Sequence, residues 1–475
     1  MTTPLDRLLS RLGTMLPPRA IVTDADTIAP WLTDWRGRYR GVAHAMFEPR
    51  STDEVAAVVR AAREAGVPLV PQGGNTSMVG GATPPADGRA AILSLRRMNR
   101  LRTVEPGVAV AEAGVILADL HGAALADGQR FPLSLGAKGS ATIGGLVSTN
   151  AGGTQVLRFG TMRALTLGLE AVLPDGSVYD GLAALPKDNR GYDLDQLLCG
   201  AEGTLGIVTA ATLRLVPAET VGAVAWVGLS TPDAALALLG AFRAATPAIE
   251  SFELLPAESL AAVLRHVPGT RAPLSGAHPW HALVEVVGDD ARAVVERVLG
   301  AALDAGRIAD AAVAESEAQA DAFWRIRESI SEAERAGGPA AQHDISVPVA
   351  AMPRFMVEAA AACEARFPGT HASGFGHLGD GNIHFHVRAA PGTDPAHWYG
   401  VEVPVVSTFV HDLVTAAGGS ISAEHGIGQM KRDELARLAS PARLAALRAI
   451  KRGLDPDGLM NPGKLLALAP AGASE

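Results

Sequence analysis

The sequence predicts an α+β protein of more than one unit, and three observations carry that prediction. At 475 residues the chain exceeds the size at which one hydrophobic core keeps growing. As far as about residue 218, helix, strand and glycine-rich loop follow one another as in half of an α/β nucleotide site. Beyond it, helical periods over 232–245 and 289–305 alternate with apolar strands such as 281–287, the pattern of an α+β unit.

Taken in order, residues 53–65 have helical apolar spacing, an acidic start and Gly66 as their stop. A short apolar strand, 67–71, then leads into the loop Gln72-Gly73-Gly74-Asn75-Thr76-Ser77, which runs on to Gly80-Gly81. A second glycine-rich stretch covers 136–153 and ends with Gly160. Successive N–H groups in such loops form concave nests for phosphate, helped by the dipole where the chain enters a helix. Neither loop holds a Walker sequence or a G-x-G-x-x-G fingerprint, which disfavours a P-loop and a Rossmann NAD site. Residues 169–177 read as a strand entering an Asp-Gly turn, and 203–216 as a glycine turn and a long β run closing at Pro217. In the second unit the strongest helix is 317–335, with Trp324, Arg327 and Ser331 on one stripe.

Composition narrows the function. With 48% hydrophobic and 19% charged residues the chain is globular, and 41 basic against 50 acidic residues (net −9) give no general affinity for nucleic acid or anionic membrane. Two distant cysteines, Cys199 and Cys363, argue against a disulfide framework, a cysteine zinc site and an iron–sulfur cluster, and point to a reducing cytoplasm. The first ten residues lack a basic-then-apolar leader, and no stretch of about 18 uncharged apolar residues occurs.

The chemistry concentrates in Gly374-Phe-Gly-His377-Leu-Gly-Asp380-Gly-Asn-Ile-His384-Phe-His386-Val387 and in Ala423-Glu424-His425-Gly426-Ile-Gly428. Asp380-Gly381-Asn382 has the residues of a tight turn, so the first run is expected to be a hairpin. On its second arm His384 and His386 share one face, while Ile383, Phe385 and Val387 take the core face. Imidazoles from both arms plus a carboxylate suit Zn²⁺ or another divalent ion, with His377, His384 and Glu424 as the expected ligands. The alternative is a glycine-rich turn with hydrogen-bonded histidines.

Together these motifs resemble the flavin oxidoreductases of the vanillyl-alcohol oxidase / p-cresol methylhydroxylase superfamily, in their D-2-hydroxyacid dehydrogenase branch. Further marks are Leu185-Pro-Lys-Asp-Asn-Arg-Gly-Tyr-Asp-Leu, Gly200-Ala-Glu202-Gly-Thr-Leu-Gly206-Ile207 and Asp457-Gly-Leu-Met-Asn461-Pro-Gly-Lys464. The resemblance implies a two-part FAD-binding domain over 41–218, after an N-terminal helical segment at 1–40. It also implies a substrate and metal domain with an antiparallel sheet over 219–430, a C-terminal segment at 431–466 that returns to the flavin, and a tail at 467–475. FAD is then held without a covalent link by Pro71, Gln72, Gly73, Gly74, Asn75, Thr76, Ser77, Gly136, Gly139, Ser140, Thr142, Gly144, Gly145, Ser148, Asn150, Gly152, Gly153, Glu202, Gly206, Ile207 and Asn461.

The implied reaction converts a D-2-hydroxy acid of the hydroxyglutarate, malate or lactate class into the 2-oxo acid, with His425 as base and Arg327 and Ser331 at the substrate. Two positions depart from the branch. Gln342 stands where it usually carries lysine, and His386 where the hydroxyglutarate enzymes have asparagine, so His386 is expected to replace part of the missing charge. An external acceptor, an electron-transfer flavoprotein or a quinone, is implied, and a homodimer is compatible with the pattern. An oxidase of the same fold and a metal-dependent hydrolase are the competing readings.

Overall fold

The computed structural model describes residues 2–218 and 221–467, so the expected tail lies, from 468 onward, outside the described residues. The chain forms two compact units. Residues 2–152, 160–218 and 424–467 belong to the first, and 153–159 with 221–423 to the second.

Parallel strand neighbours need a crossover, and the first unit shows one directly. β1 (Ile21–Val22), β2 (Met46–Phe47), β3 (Leu69–Gln72) and β4 (Ala91–Ser94) form a sheet ordered β1-β2-β4-β3, with β2 and β3 parallel to β4. Helix Thr52–Ala65 links β2 to β3; the Glu54 amide donates to Ser51 Oγ at its start, and Gly66, with φ +72°, ends it. Its buried Val55, Val58 and Ala62 pack with Leu8 and Leu12 of helix Pro4–Leu12, which ties the N-terminal segment into this core.

The rest of the unit is antiparallel. β5 (Leu101–Glu105), β6 (Val108–Glu112), β8 (Thr166–Val172), β9 (Val178–Asp180) and β10 (Ile207–Arg214) take the order β5-β6-β10-β8-β9, while β7 (Gln129–Arg130) pairs with β11 (Val216–Pro217). The C-terminal stretch returns to β3: Leu69 donates to the Leu459 carbonyl at 2.9 Å and accepts from Asn461 N at 2.8 Å.

The second unit is a seven-stranded antiparallel sheet. Its strands are β12 (Gly222–Leu229), β13 (Ile249–Pro256), β14 (Trp280–Val287), β15 (Asp310–Val313), β16 (Ala340–Ser346), β17 (His371–His377) and β18 (Asn382–Arg388). They are ordered β15-β12-β14-β13-β17-β18-β16. Alternation along the strands divides the core in two. Ala225, Val227, Phe252, Leu254, Ile383 and Phe385 meet helices Pro232–Ala245, Ala291–Asp304, Met352–Arg366 and Val403–Ala416 on one face. Val224, Trp226, Leu255 and Phe375 meet helices Ala257–His266, Glu317–Glu328 and Ile330–Arg335 on the other.

Two expectations need correction. Residues 317–335 are two helices that break at Ser329, where ψ is −4°. Ile326, Ile330 and Ala333, spaced i, i+4 and i+7, all stay in the core across that break. The expected stripe is not uniform: Arg327 is buried and Ser331 is exposed. The second correction is the chain's return to the first unit, which comes at 424 rather than 431. Among the described residues no helix is long and apolar enough to cross a membrane.

Candidate active site

The first unit contains a cavity of about 690 Å³ walled by the two glycine-rich segments. They pack too closely for side chains on Gly73 and Gly74, which is why glycine is needed. A Cβ on Gly73 would stand 2.1 Å from Thr142 Oγ1, and one on Gly74 1.9 Å from the Ser140 carbonyl oxygen. Of the expected cofactor residues, Pro71 to Ser77, Gly136, Ser140, Thr142, Gly144, Gly145, Ser148, Gly152, Glu202 and Asn461 line this cavity, together with Glu424 and His425.

Five expected residues do not line it. Ile207 is buried at the start of β10, and Gly206 packs on Leu198 and the Val172 carbonyl. Asn150 turns the chain at φ +50° and its Oδ1 accepts from Arg163 N at 2.9 Å. Gly139 lies outside the lining, and Gly153 opens the segment that belongs to the second unit. Trp35, 58% exposed, lines the cavity although nothing in its sequence context marked it.

The cavity's chemistry fits a dinucleotide with a pyrophosphate. Among the described residues, buried Gln72 Oε1, Thr142 Oγ1 and Asn461 Oδ1 have no hydrogen-bond partner, which costs free energy unless a ligand supplies one. Among the described residues no backbone acceptor takes the amides of Gly73, Gly74, Asn75 or Thr76, four successive donors on one loop.

Glu202 does something the sequence did not disclose. Its backbone sits at φ +52°, held by the Asn461 side-chain amide on its carbonyl at 2.7 Å, and its carboxylate accepts the amides of Ile427 and Gly428, both at 2.7 Å. The loop bearing Glu424 and His425 is thus clamped from below. The glycines of Glu424-His-Gly-Ile-Gly follow from this: a Cβ on Gly426 would lie 2.9 Å from Glu202 Oε1, and one on Gly428 2.3 Å from the Val79 carbonyl. Burial raises the Glu202 carboxyl above its ordinary range, opposed by the two amides and by the charges of Lys431 and Lys464. Burial also lowers the Lys464 ammonium, to about 8.

In the second unit the expected hairpin forms between β17 and β18, with Asn382 already paired opposite His377 as the first residue of its strand. Ile383, Phe385 and Val387 are fully buried on the core side, as alternation requires. His377, His384 and His386 stand on the other face around Phe375. The His377 and His384 rings are 5.7 Å apart at 78°, and Phe375 lies 5.2 Å from His384 and 5.6 Å from His386.

Glu253 on β13, absent from the sequence-based expectations, organises this face. It is fully buried, accepts from Arg327 Nε at 2.6 Å and bonds His377 Nδ1 at 2.6 Å. Burial by itself would push its carboxyl up, but the Arg327 guanidinium and the His377 ring pull it down to about 2. The signal was present as an acid inside the apolar strand Ile249–Pro256. Arg327 stacks over Phe375 at 5.1 Å, and its buried Nη2 has no partner among the described residues.

The surroundings of His386 weigh against the expected compensating part. Its Nδ1 is bonded to the buried Glu334, which also accepts from Ser259 Oγ at 3.3 Å. That carboxylate offsets positive charge at this position. Gln342 lies opposite His386 across β16 and β18, so that position carries no cation either.

Comparison with known proteins agrees with this architecture. Residues 43–181 match the FAD binding domain family, and 218–465 match the C-terminal domain of FAD linked oxidases. A D-2-hydroxyglutarate dehydrogenase of Xanthomonas citri pv. viticola is 37% identical over 98% of this chain and 97% of its own. The mitochondrial D-2-hydroxyglutarate dehydrogenase of Arabidopsis thaliana is 37% identical over 95% of this chain and 80% of its own. A D-2-hydroxyglutarate–pyruvate transhydrogenase of Saccharomyces cerevisiae is 32% identical over 93% and 90%. Substrate-bound p-cresol methylhydroxylase shares the fold, with a TM-score of 0.73 at 16% identity over 97% of this chain and 96% of its own. A cradle of unpartnered donors, both halves of the FAD-linked architecture and full-length relatives converge on one assignment: the chain belongs to the FAD-dependent D-2-hydroxyacid dehydrogenases, the family of the D-2-hydroxyglutarate dehydrogenases.

Proposed function

We propose that this protein oxidises a D-2-hydroxy acid to its 2-oxo acid with the help of a divalent cation, Zn²⁺ being the best match to the donors, bound by His377, His384 and Glu424. The observation that carries the reading is the polar face around Phe375, with two near-perpendicular imidazoles 5.7 Å apart and an arginine whose Nη2 lacks a partner. When bound, FAD supplies a two-electron acceptor and the cation a Lewis acid.

The chain's own residues do the rest. Arg327, anchored through Nε, offers Nη2 to the substrate carboxylate and so fixes which face of Cα is presented. His425 accepts the hydroxyl proton as the carbonyl forms and the Cα hydrogen leaves with its electron pair, a role suited to an imidazole. Neutral imidazoles at 377 and 384 would hold the cation through their lone pairs, and the Glu424 carboxylate would offset part of its charge. Electrons leave to an external carrier, an electron-transfer flavoprotein or a quinone.

Two variants test this. His384→Ala is expected to abolish flavin reduction by the acid while the bound flavin spectrum stays intact. Arg327→Ala is expected to raise KM at least tenfold, with a coupled loss in kcat if the carboxylate orients Cα–H. A His384→Ala protein that reduces flavin at the wild-type rate removes the cation from the reaction, and an unchanged kcat/KM removes Arg327 from the substrate.

A further inference from the structure

We propose that Glu253 is a positioning residue that sets the metal ligand and the substrate arginine with one carboxylate, so that binding of cation and of hydroxy acid share a single support. The inference rests on the reading of His377 and Arg327 given above.

Glu253 divides its two oxygens. Oε1 bonds His377 Nδ1 at 2.6 Å and Oε2 takes Arg327 Nε at 2.6 Å. Imidazole has one lone pair for a cation in its neutral form, and a carboxylate on Nδ1–H places that lone pair on Nε2 and raises its basicity. Strand register fixes the arrangement, because Glu253 stands directly opposite His377 across β13 and β17. On the other side, the bond from Nε to Oε2 fixes the Arg327 guanidinium, whose buried Nη2 has no partner among the described residues. Phe375 ties the two halves together, lying under the guanidinium at 5.1 Å and against His384 at 5.2 Å. A carboxylate present only to neutralise a buried arginine would not need to bond the histidine as well.

The test uses the FAD-loaded protein with Glu253→Gln, which keeps length and loses charge, and Glu253→Asp, which keeps charge and loses reach. Zn²⁺ affinity is measured by competition with a chromophoric chelator, KM and kcat with the hydroxy acid that reduces the wild-type flavin, and flavin content by absorbance. In both variants Zn²⁺ affinity is expected to fall about 10- to 100-fold and KM to rise, with flavin content unchanged. Should the Gln variant not fold, the Asp variant reads the same two quantities. Wild-type Zn²⁺ affinity and KM in Glu253→Asp would overturn the proposal, because charge alone would then suffice. A fall in Zn²⁺ affinity with KM unmoved would overturn the shared support. If the wild-type protein itself binds no Zn²⁺, the cation reading fails first and this inference with it.

Discussion

Glu202→Gln tests how the loop that bears Glu424 and His425 is held. The wild-type carboxylate accepts two loop amides at 2.7 Å, while a glutamine offers one carbonyl oxygen and one amide that is itself a donor. One N–H of the pair Ile427 and Gly428 therefore loses its acceptor and faces a donor. A hydrogen bond to a charged group contributes about 1.5–3 kcal/mol, so local opening of the loop should become easier by about 2–3 kcal/mol. At about 1.4 kcal/mol per tenfold, amide exchange across 425–429 should accelerate roughly 30- to 150-fold if local opening limits it. Global stability should move much less, because burial already opposes the charge on Glu202 and the substitution removes that opposition. The assay is hydrogen exchange read by mass spectrometry on the FAD-loaded protein, comparing the 424–430 loop with 72–77. Turnover should fall with the loosened loop, since it carries Glu424 and His425. Exchange at 425–429 within threefold of wild type would refute the clamp.

Two more outcomes follow from the first unit. Gly74→Ala places a Cβ 1.9 Å from the Ser140 carbonyl oxygen, a backbone atom that cannot swing aside; the purified protein should carry little flavin while its circular dichroism stays native, and full flavin absorbance would contradict this. Glu170 gives a pH dependence. Burial alone would raise its carboxyl, but hydrogen bonds from Arg102, Thr52 and Thr209 hold it below its ordinary 4.5. With a depressed folded-state pKa, its contribution is present above the unfolded value and is lost as pH falls through the folded one. Glu170→Gln should therefore destabilise the protein at pH 7 and flatten the loss of stability below about pH 4.5 in denaturant titrations, and an unchanged acid limb would contradict the assignment.

Much of the site was legible because local rules set it. The 52–65 helix has a serine cap and a glycine stop, and the β17–β18 hairpin alternates strictly. What sequence reasoning missed depends on long-range pairing. Glu253 becomes informative only once β13 lies beside β17, because an acid in an apolar strand says that a partner exists but not which one. Glu202 was expected at the cofactor and does line the cavity, yet its carboxylate serves a loop more than two hundred residues away in sequence. Periodicity alone predicts one helix over 317–335, yet Ser329 breaks it while Ile330 stays in the core.

The most direct test of the whole account is an anaerobic spectral titration of the flavin with D- and L-2-hydroxy acids, with and without a chelator. The account predicts bleaching by a D-acid, its loss when the chelator strips the cation with flavin still bound, and its return on adding Zn²⁺ or another divalent ion. Bleaching at full rate after the cation has been removed would contradict it.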